Sequence, residues 1–450
     1  MNIRDAVFYH IYPFGALGVL NGSREPNPSP LHRIERWIPR MRAVGANVLW
    51  LGPLFESEHH GYDTVDFFRV DRRLGSNEDL ANLARTLREQ GISLVLDAVY
   101  NHVGRTHPIV QEVIQQGAGS PHAHWISGYD PSQPGPDGMP FRYNTWDGHH
   151  RLVKLDTGNA EVQNYLIEAT LFWMETFGIT GLRLDAANVI DHGFMRTLAQ
   201  RCRERNPEFF LIGESVHGDS YAPLIRDVQL DSVTNYEVYK GLWSSYNDRN
   251  YHEIAWSLNR LFGEHGVCPG MPLYSFADNH DVDRVASSLR DRAGLFPLYG
   301  LMFAMPGVPS IYYGSEFGIE GKRQGHSDLA LRPELDPDGL PNHSPHPELV
   351  DAIARFAAAR KASRAVREGN YRQLGVEMEG IAFLRQAGDE LAIIAVNGSP
   401  KPMSFSLNVP EASGRTLTDI LDPSTKIVPN GSGKITVEVP PHWLCWFFSE

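Results

Sequence analysis

Four stretches of this 450-residue chain end in side chains that could perform acid–base chemistry. In the segment Gly181–Asn188 (GLRLDAAN), Leu182 and Leu184 alternate with Arg183 and Asp185. This period of two predicts a short buried strand, with Arg183 and Asp185 on one face of it. We expect the Arg183 guanidinium to lower the pKa of Asp185 and keep it ionised, which suits a nucleophilic or electrostatic catalyst. A structural ion pair at a strand end explains this segment equally well when it is taken alone.

Three further apolar runs close on carboxylates or histidines. They are Leu94–His102 (LVLDAVYNH), Leu211–Glu214 (LIGE) and Phe276–Asp281 (FADNHD). Hydrophobic strands that end in polar groups and alternate with helical patterns predict a parallel barrel, in which catalytic groups lie at the carboxyl ends of the strands. We predict eight barrel strands, at residues 7–12, 47–51, 93–98, 181–185, 210–214, 231–235, 273–276 and 310–313.

These four stretches, in this order, resemble the four signature regions of the α-amylase superfamily of glycoside hydrolases, and the resemblance covers nearly the whole chain. It implies an α/β fold, a (β/α)8 TIM barrel, formed by residues 1–101 and 156–365. A small domain B would be inserted after strand 3 at residues 102–155, and a C-terminal antiparallel β-sandwich would follow at residues 366–450. Because residues 102–155 are rich in Pro and Gly, we predict a long structureless loop there, and a loop of this length is usually functional. The resemblance implies that it forms one wall of a sugar cleft. Short alternating strands after Gly369 also favour an antiparallel β domain.

The resemblance assigns three carboxylates to catalysis. It implies that Asp185 is the nucleophile, Glu214 the acid/base, and Asp281 the carboxylate that binds sugar hydroxyls. Hydrolysis with retention needs a nucleophile and an acid/base about 5–5.5 Å apart. Three carboxylates in one pocket would repel each other, so a purely structural role for this set is a poor explanation.

The resemblance also implies a group of substrate-binding residues around these carboxylates. Two histidines would hydrogen-bond the sugar at the cleavage subsite, a tyrosine would stack on it, and charged residues would support the site. These residues are His102, His280, Tyr62, Arg183, Asp97, which resembles a structural aspartate near the site, and Arg284, which we expect to pair with a carboxylate.

Metal binding is predicted to be absent. Asn101 matches a position that binds calcium in many secreted members of the superfamily, but we find no match to the other ligands in domain B. Cys202, Cys268 and Cys445 form neither a disulfide framework nor a zinc motif. We therefore predict no essential metal and no cofactor.

Charge and hydropathy limit the partners. The net charge of −13 and the isoelectric point of about 5.8 argue against nucleic acid or an anionic membrane as a partner. The N-terminus lacks the apolar run of a signal peptide, and no stretch contains 18 consecutive apolar residues. We expect a cytoplasmic enzyme whose partner is a small oligosaccharide.

Within the superfamily, the motifs are most similar to those of cyclodextrinases, neopullulanases and maltogenic amylases. Val189 stands where those enzymes often have Glu, and Val216 stands where they have a Trp on the leaving-group side. The chain also starts directly at the barrel pattern, whereas those enzymes often dimerise through an extra N-terminal domain, so the oligomeric state stays open. We predict a retaining hydrolase of α-1,4 or α-1,6 bonds in short linear, cyclic or branched malto-oligosaccharides.

Two alternatives remain at this stage. A transglycosylase or isomerase would use the same three carboxylates, because water and a sugar hydroxyl compete for the covalent intermediate. A non-catalytic sugar-binding member would be expected to lose part of this triad, and all three carboxylates are present.

Overall fold

The computed structural model describes residues 1–20 and 29–449. Eight parallel strands of this part of the chain form one sheet. They are β1 (Phe8–Ile11), β2 (Val48–Leu51), β3 (Ser93–Ala98), β4 (Gly181–Leu184), β5 (Phe210–Gly213), β6 (Ser232–Val233), β7 (Tyr274–Phe276) and β8 (Val308–Tyr312). Their order is β6-β5-β4-β3-β2-β1-β8-β7, and a parallel bridge between Thr234 and Tyr274 joins the two outer strands. The sheet is therefore a closed barrel, and the predicted fold is confirmed.

Helices on the outside of the barrel connect successive strands and cover it. The helix Asn77–Glu89 begins with a capping box between Ser76 and Asp79, which satisfies two backbone N–H groups at its first turn. The main helices are Ile38–Ala43, Asn77–Glu89, Ala160–Phe177, His192–Arg205, Tyr236–Asn247, His252–Phe262, Leu295–Ala304 and Leu349–Ala362.

Alternating residues of the strands fill the inside of the barrel. Phe8, Trp50, Val95, Ile212 and Tyr274 belong to one buried apolar cluster there. Parallel strands that are buried on both faces are expected to be this apolar, and the packed interior fixes the positions at which the strands end.

The excursion after β3 has more regular structure than we predicted. Strands His102–Gly104, Thr145–Trp146 and His149–Lys154 form a small antiparallel sheet, and Pro108–Gln116 is a helix. The expectation of a structureless loop is wrong because this helix buries Val110 and Val113, which are three residues apart and so lie on one face.

The C-terminal region is an antiparallel β structure, as predicted. A six-stranded sheet contains Asn370–Glu377, Gly380–Ala387, Glu390–Asn397, Trp443–Ser449, Leu417–Asp419 and Lys426–Ile427 in that order, and Met403–Asn408 pairs with Lys434–Val439 in a second sheet. Residues of both sheets share one apolar cluster, which is the packing of a sandwich.

Within residues 1–20 and 29–449, we find no helix whose length and apolarity would let it span a bilayer. Cys202, Cys268 and Cys445 are free and buried.

The helix Ala160–Phe177 depends on one buried indole. Trp173 is fully buried, stacks on Phe55 at 4.2 Å between ring centroids, and donates a hydrogen bond from Nε1 to the Phe67 carbonyl at 2.7 Å. Trp173→Phe leaves that carbonyl without a partner and should lower the free energy of unfolding by about 1–3 kcal/mol. Urea denaturation measures this change. Trp256→Phe is the control, because the Trp256 side chain is 64% exposed and its replacement should change stability by less than about 0.5 kcal/mol. Equal effects of the two substitutions would contradict the role of Trp173.

Candidate active site

A single guanidinium holds three carboxylates at the carboxyl ends of β3, β4 and β5. Arg183 Nη1 donates hydrogen bonds to Asp97 Oδ1 and to Asp185 Oδ1, each at 2.8 Å, and Nη2 lies 2.6 Å from Glu214 Oε1. The register of β3 and β4 places Asp97 beside Arg183, while Asp185 and Glu214 directly follow β4 and β5. The predicted nucleophile and the predicted acid/base therefore contact adjacent nitrogens of the same group.

The backbone turns sharply after Asp185. Ala186 has φ 48° and ψ 41°, a left-handed conformation that a residue with a Cβ adopts at an energetic cost. In this conformation the Ala186 N–H donates a hydrogen bond of 3.0 Å to Glu214 Oε2. Glu214 is thus held by a side chain and by the backbone of the segment that carries Asp185.

Burial changes the protonation of this cluster. It raises the pKa of Asp185 well above its usual range, and Glu214 and Asp97 raise it further, although Arg183 opposes the shift. The pKa of Asp97 is raised to about 6, chiefly by burial. Arg183 does lower the pKa of Asp185, as predicted from the sequence, but the net shift is upward because removing a carboxylate from water disfavours its charged form more strongly.

A second chain of polar contacts leads from Asp97 to Asp281. The Tyr62 hydroxyl donates a hydrogen bond to Asp97 Oδ2 at 3.1 Å and lies within hydrogen-bond distance of His280 Nε2. His280 Nε2 in turn lies 3.0 Å from Asp281 Oδ2. Burial and the nearby Arg332 and Arg183 keep the pKa of His280 well below its usual value, so this ring is neutral.

His102 fixes the loop that carries Tyr62. Its Nε2–H donates a hydrogen bond to the Tyr62 carbonyl at 2.9 Å, and its Nδ1 lies 3.1 Å from Asn101 Nδ2. Burial lowers the pKa of His102 to about 4. A neutral ring with the proton on Nε2 satisfies both contacts, because a carbonyl oxygen only accepts.

The arginine that pairs with Asp281 is Arg332, and the expectation for Arg284 is wrong. Arg332 donates from Nε to the His280 carbonyl at 2.9 Å and from Nη2 to Asp281 Oδ1 at 3.1 Å. Arg284 is fully buried and donates to the Tyr313 carbonyl at 2.8 Å. It does not line the cavity, and its guanidinium lies over the rings of Tyr312 and Tyr313. Arg332 was missed because it lies outside every motif, 51 residues after Asp281.

These groups open into a cavity of about 640 Å³. The exposed fraction of the side chain increases from 9% for Asp185 to 16% for Glu214 and 36% for Asp281. Tyr62 and His102 also line the cavity. Behind these lining residues, Arg183, Asp97 and His280 hold the lining side chains in position through hydrogen bonds. The wall from the excursion consists of residues 146–152, and the rim is rich in histidine: His59, His60, His149, His150 and His217.

One group in the described part of the chain has the donor types and the spacing of a metal site. Glu58, His59 and Asp63 place ligand atoms within 4.8 Å of one another. These atoms already have partners, because Arg151 Nη2 lies 2.8 Å from Glu58 Oε2 and His59 Nδ1 lies 2.8 Å from Asp63 Oδ2. Hydrogen bonds and an ion pair at the rim of the cleft therefore explain why these three side chains lie together. The absence of an essential metal, at Asn101 or elsewhere, stays a prediction.

The fold is a closed barrel of parallel strands, and carboxylates cluster at the carboxyl ends of these strands. Together these two features are typical of a TIM-barrel enzyme that uses acid–base chemistry. Residues 31–361 match the model of the α-amylase catalytic domain. The chain belongs to the α-amylase family of glycoside hydrolases.

Relatives within this family carry related names. The chain is 29% identical over 420 residues to a cyclomaltodextrinase of Bacillus sp., covering 88% of this chain and 73% of that protein. It is 28% identical to neopullulanase 2 of Thermoactinomyces vulgaris, covering 91% of this chain and 69% of that protein. Among solved structures, the cyclic α-maltosyl-(1→6)-maltose hydrolase of Arthrobacter globiformis has a TM-score of 0.81 and 25% identity, covering 100% of this chain and 99% of the other.

The position of Asp185 predicts the effect of removing its charge. Asp185→Asn keeps the size of the side chain but gives a poor nucleophile, so hydrolysis of malto-oligosaccharides should fall at least about a thousandfold. Initial rates and circular dichroism measure activity and folding. Asp351→Asn on the exposed face of a distant helix is the control and should leave both unchanged. A folded Asp185→Asn enzyme with more than about a tenth of the activity would exclude Asp185 as the nucleophile.

The raised pKa of Asp185 also predicts the pH dependence. Because the attacking carboxylate must be ionised, kcat/KM should fall as the pH decreases, with a midpoint above the ordinary aspartate pKa of about 3.9. Asp97→Asn removes a negative neighbour and should move this midpoint to lower pH. The profile of kcat/KM against pH tests both statements, with Asp351→Asn again as the control. An unchanged or higher midpoint in Asp97→Asn would contradict the coupling between the two carboxylates.

Proposed function

We propose that this chain is a retaining α-glucoside hydrolase that acts on short cyclic or α-1,6-branched malto-oligosaccharides as well as short linear ones. The observation that carries the proposal is the cavity itself. It contains the two carboxylates that share Arg183, and on the excursion side it is bounded by residues 146–152. Such a wall restricts the length of sugar on that side of the cleft.

In the proposed reaction, Asp185 attacks the anomeric carbon while Glu214 gives its proton to the leaving glycosidic oxygen. The bond between that carbon and the leaving oxygen breaks, and a covalent ester to Asp185 forms. Glu214 then takes a proton from water, whose oxygen displaces Asp185 and releases the sugar with its original configuration. Arg183 keeps both carboxyl groups in place through the two steps.

The remaining groups hold the ring of the sugar that is cleaved. Tyr62 and His102 line the cavity, and Asp281 is accessible beside them. The Asp281 carboxylate can bind sugar hydroxyls, while His102 holds Tyr62 in place against the sugar ring. Asp281 is fixed from behind by Arg332 and His280. Preorganised partners of this kind stabilise the positive charge that develops on the ring in the transition state.

The leaving-group side of the cavity has an unusual lining. Val216 is 54% exposed and lines the cavity together with Asn188 and His217. A small aliphatic side chain leaves room for a bent or branched sugar. The names of the relatives support the proposal, since the Arthrobacter enzyme is named as a hydrolase of a cyclic sugar with α-1,6 bonds and was also solved in complex with it.

The same proposal includes the cellular location and the absence of a metal. A cytoplasmic enzyme would meet imported short saccharides. A relative from Bacillus subtilis, 30% identical over 312 residues, is named an intracellular maltogenic amylase. We propose that catalysis needs no metal, because Arg183 already places a fixed positive charge against Asp97, Asp185 and Glu214.

A comparison of substrates tests the proposal. The expected result is a higher kcat/KM for maltotriose, a cyclodextrin and an α-1,6-branched maltosaccharide than for soluble starch, at equal concentrations of cleavable bonds. Val216→Trp should reduce the rate on the cyclic and branched sugars more than the rate on maltotriose. Val189→Leu is the matched control, because Val189 is also partly exposed but does not line the cavity. Starch as the best substrate, or transfer products in place of reducing sugar, would overturn the proposal.

A further inference from the structure

The opposite end of the barrel contains a second cavity, of about 650 Å³, which we call the base pocket. It lies where the chain enters β1 and β2, between these strand starts and the helices Ile38–Ala43 and Leu349–Ala362. Its charged lining residues are Arg42, Arg360, Lys361, Arg367 and Asp5. Four cationic groups thus face one carboxylate in a protein whose net charge is −13.

Arg360 is the buried member of this set. Its side chain is 1% exposed, and its guanidinium donates to the carbonyls of Gly307 at 2.7 Å and Arg4 at 3.2 Å. Its Nε has no hydrogen-bond partner among the described residues. A buried charge without a counter-ion is costly, and burial together with Arg367 lowers the pKa of Arg360 to about 9.

The other cations of the base pocket are available to a ligand to different degrees. Arg367 is partly committed, because its Nε lies 2.8 Å from Asp5 Oδ1 and its Nη1 donates to the Arg360 carbonyl at 3.3 Å. Arg42 and Lys361 are exposed at the mouth, and within residues 1–20 and 29–449 neither lies within ion-pair distance of a carboxylate. The base pocket therefore offers two exposed cations at its mouth. Arg360 adds a buried positive charge at its inner end, while its terminal nitrogens donate to the carbonyls of Phe303, Arg4 and Gly307.

We propose that the base pocket binds a phosphate-bearing small molecule. Guanidinium groups bind phosphate oxygens through paired charge-assisted hydrogen bonds, and a lysine adds a point charge. The volume exceeds what free phosphate needs and lies in the range of small-molecule sites, so it has room for a sugar ring attached to the phosphate.

The position of the base pocket predicts what binding does. The pocket is at the amino ends of the strands, whereas the catalytic cavity is at the carboxyl ends, so the ligand does not compete with substrate. Lys361 lies in the helix Leu349–Ala362. Directly after this helix, Ser363 donates to Glu390 of the C-terminal sheet at 2.8 Å. A bound phosphate would tie this helix to the base of the barrel and stabilise the link between barrel and sandwich.

Titration calorimetry on the full chain tests the proposal, with inorganic phosphate and with glucose 6-phosphate as probes and with sodium chloride at the same ionic strength as the reference. We expect saturable binding at one site. The double variant Arg42→Glu/Lys361→Glu should weaken it at least about tenfold, and Arg42→Gln/Lys361→Gln should weaken it less. Lys434→Glu, a charge reversal on an exposed strand of the sandwich, should have no effect.

Each outcome of this titration either supports or overturns the proposal that the base pocket binds a phosphate-bearing molecule. Tighter binding of glucose 6-phosphate identifies a sugar phosphate as the ligand, and equal binding of both probes identifies the phosphate group itself; both results support the proposal. Heats that do not exceed those of chloride would overturn it, as would equal weakening by Lys434→Glu. Competitive inhibition of hydrolysis by phosphate would also overturn it, because the anion would then bind in the catalytic cavity.

Discussion

The contact of Arg183 with three carboxylates is the interaction on which the site depends. Without that guanidinium, Asp97, Asp185 and Glu214 would be unpaired negative charges in a nearly water-free layer, and they could not all stay ionised. With it, the three groups form one unit whose members come from three consecutive strands. The register of β3 and β4, which sets Asp97 beside Arg183, is therefore a requirement of the chemistry as well as of the fold.

The rest of the site is arranged around this unit in two directions. Toward β7, Tyr62 and His280 carry the contact from Asp97 to Asp281, and buried neutral rings allow hydrogen bonding without adding charge. Toward solvent, the excursion after β3 covers the cleft with residues 146–152. The deep part is thus a buried and closely hydrogen-bonded cluster, while the outer part is polar and accessible, as the binding of a hydroxyl-rich ligand requires.

Sequence patterns predicted the parts of this molecule that have a regular pattern of apolar and polar residues, above all the barrel strands. All eight barrel strands lie within about two residues of their predicted positions, because buried parallel strands are continuous apolar runs. The apolar runs drew attention to Asp185, Glu214 and Asp281, but their roles came from the resemblance to the α-amylase superfamily. The left-handed Ala186 could not be predicted, because alanine carries no preference for that conformation.

The contacts that sequence did not predict depend on tertiary structure. Arg332 reaches Asp281 from an irregular segment that no periodicity describes. The sequence suggested Arg284 instead, which is close to Asp281 in the chain but donates to the Tyr313 carbonyl. The helix at 108–116 was missed because the surrounding Pro and Gly residues dominate the local pattern, although Val110 and Val113 gave a weak signal of helical spacing.

The strand pairing that closes the barrel is uneven around the ring. The seam between β6 and β7 is thin: the two strands have two and three residues, and the described residues join them through the isolated bridge at Thr234 and Tyr274. Asp281 follows β7 on one side of this seam, and the Arg183 cluster lies beyond β6 on the other. The carboxyl groups of the nucleophile and the acid/base are thus carried by the part of the ring with continuous strand pairing, whereas Asp281 follows a strand at the part of the ring that a single bridge closes.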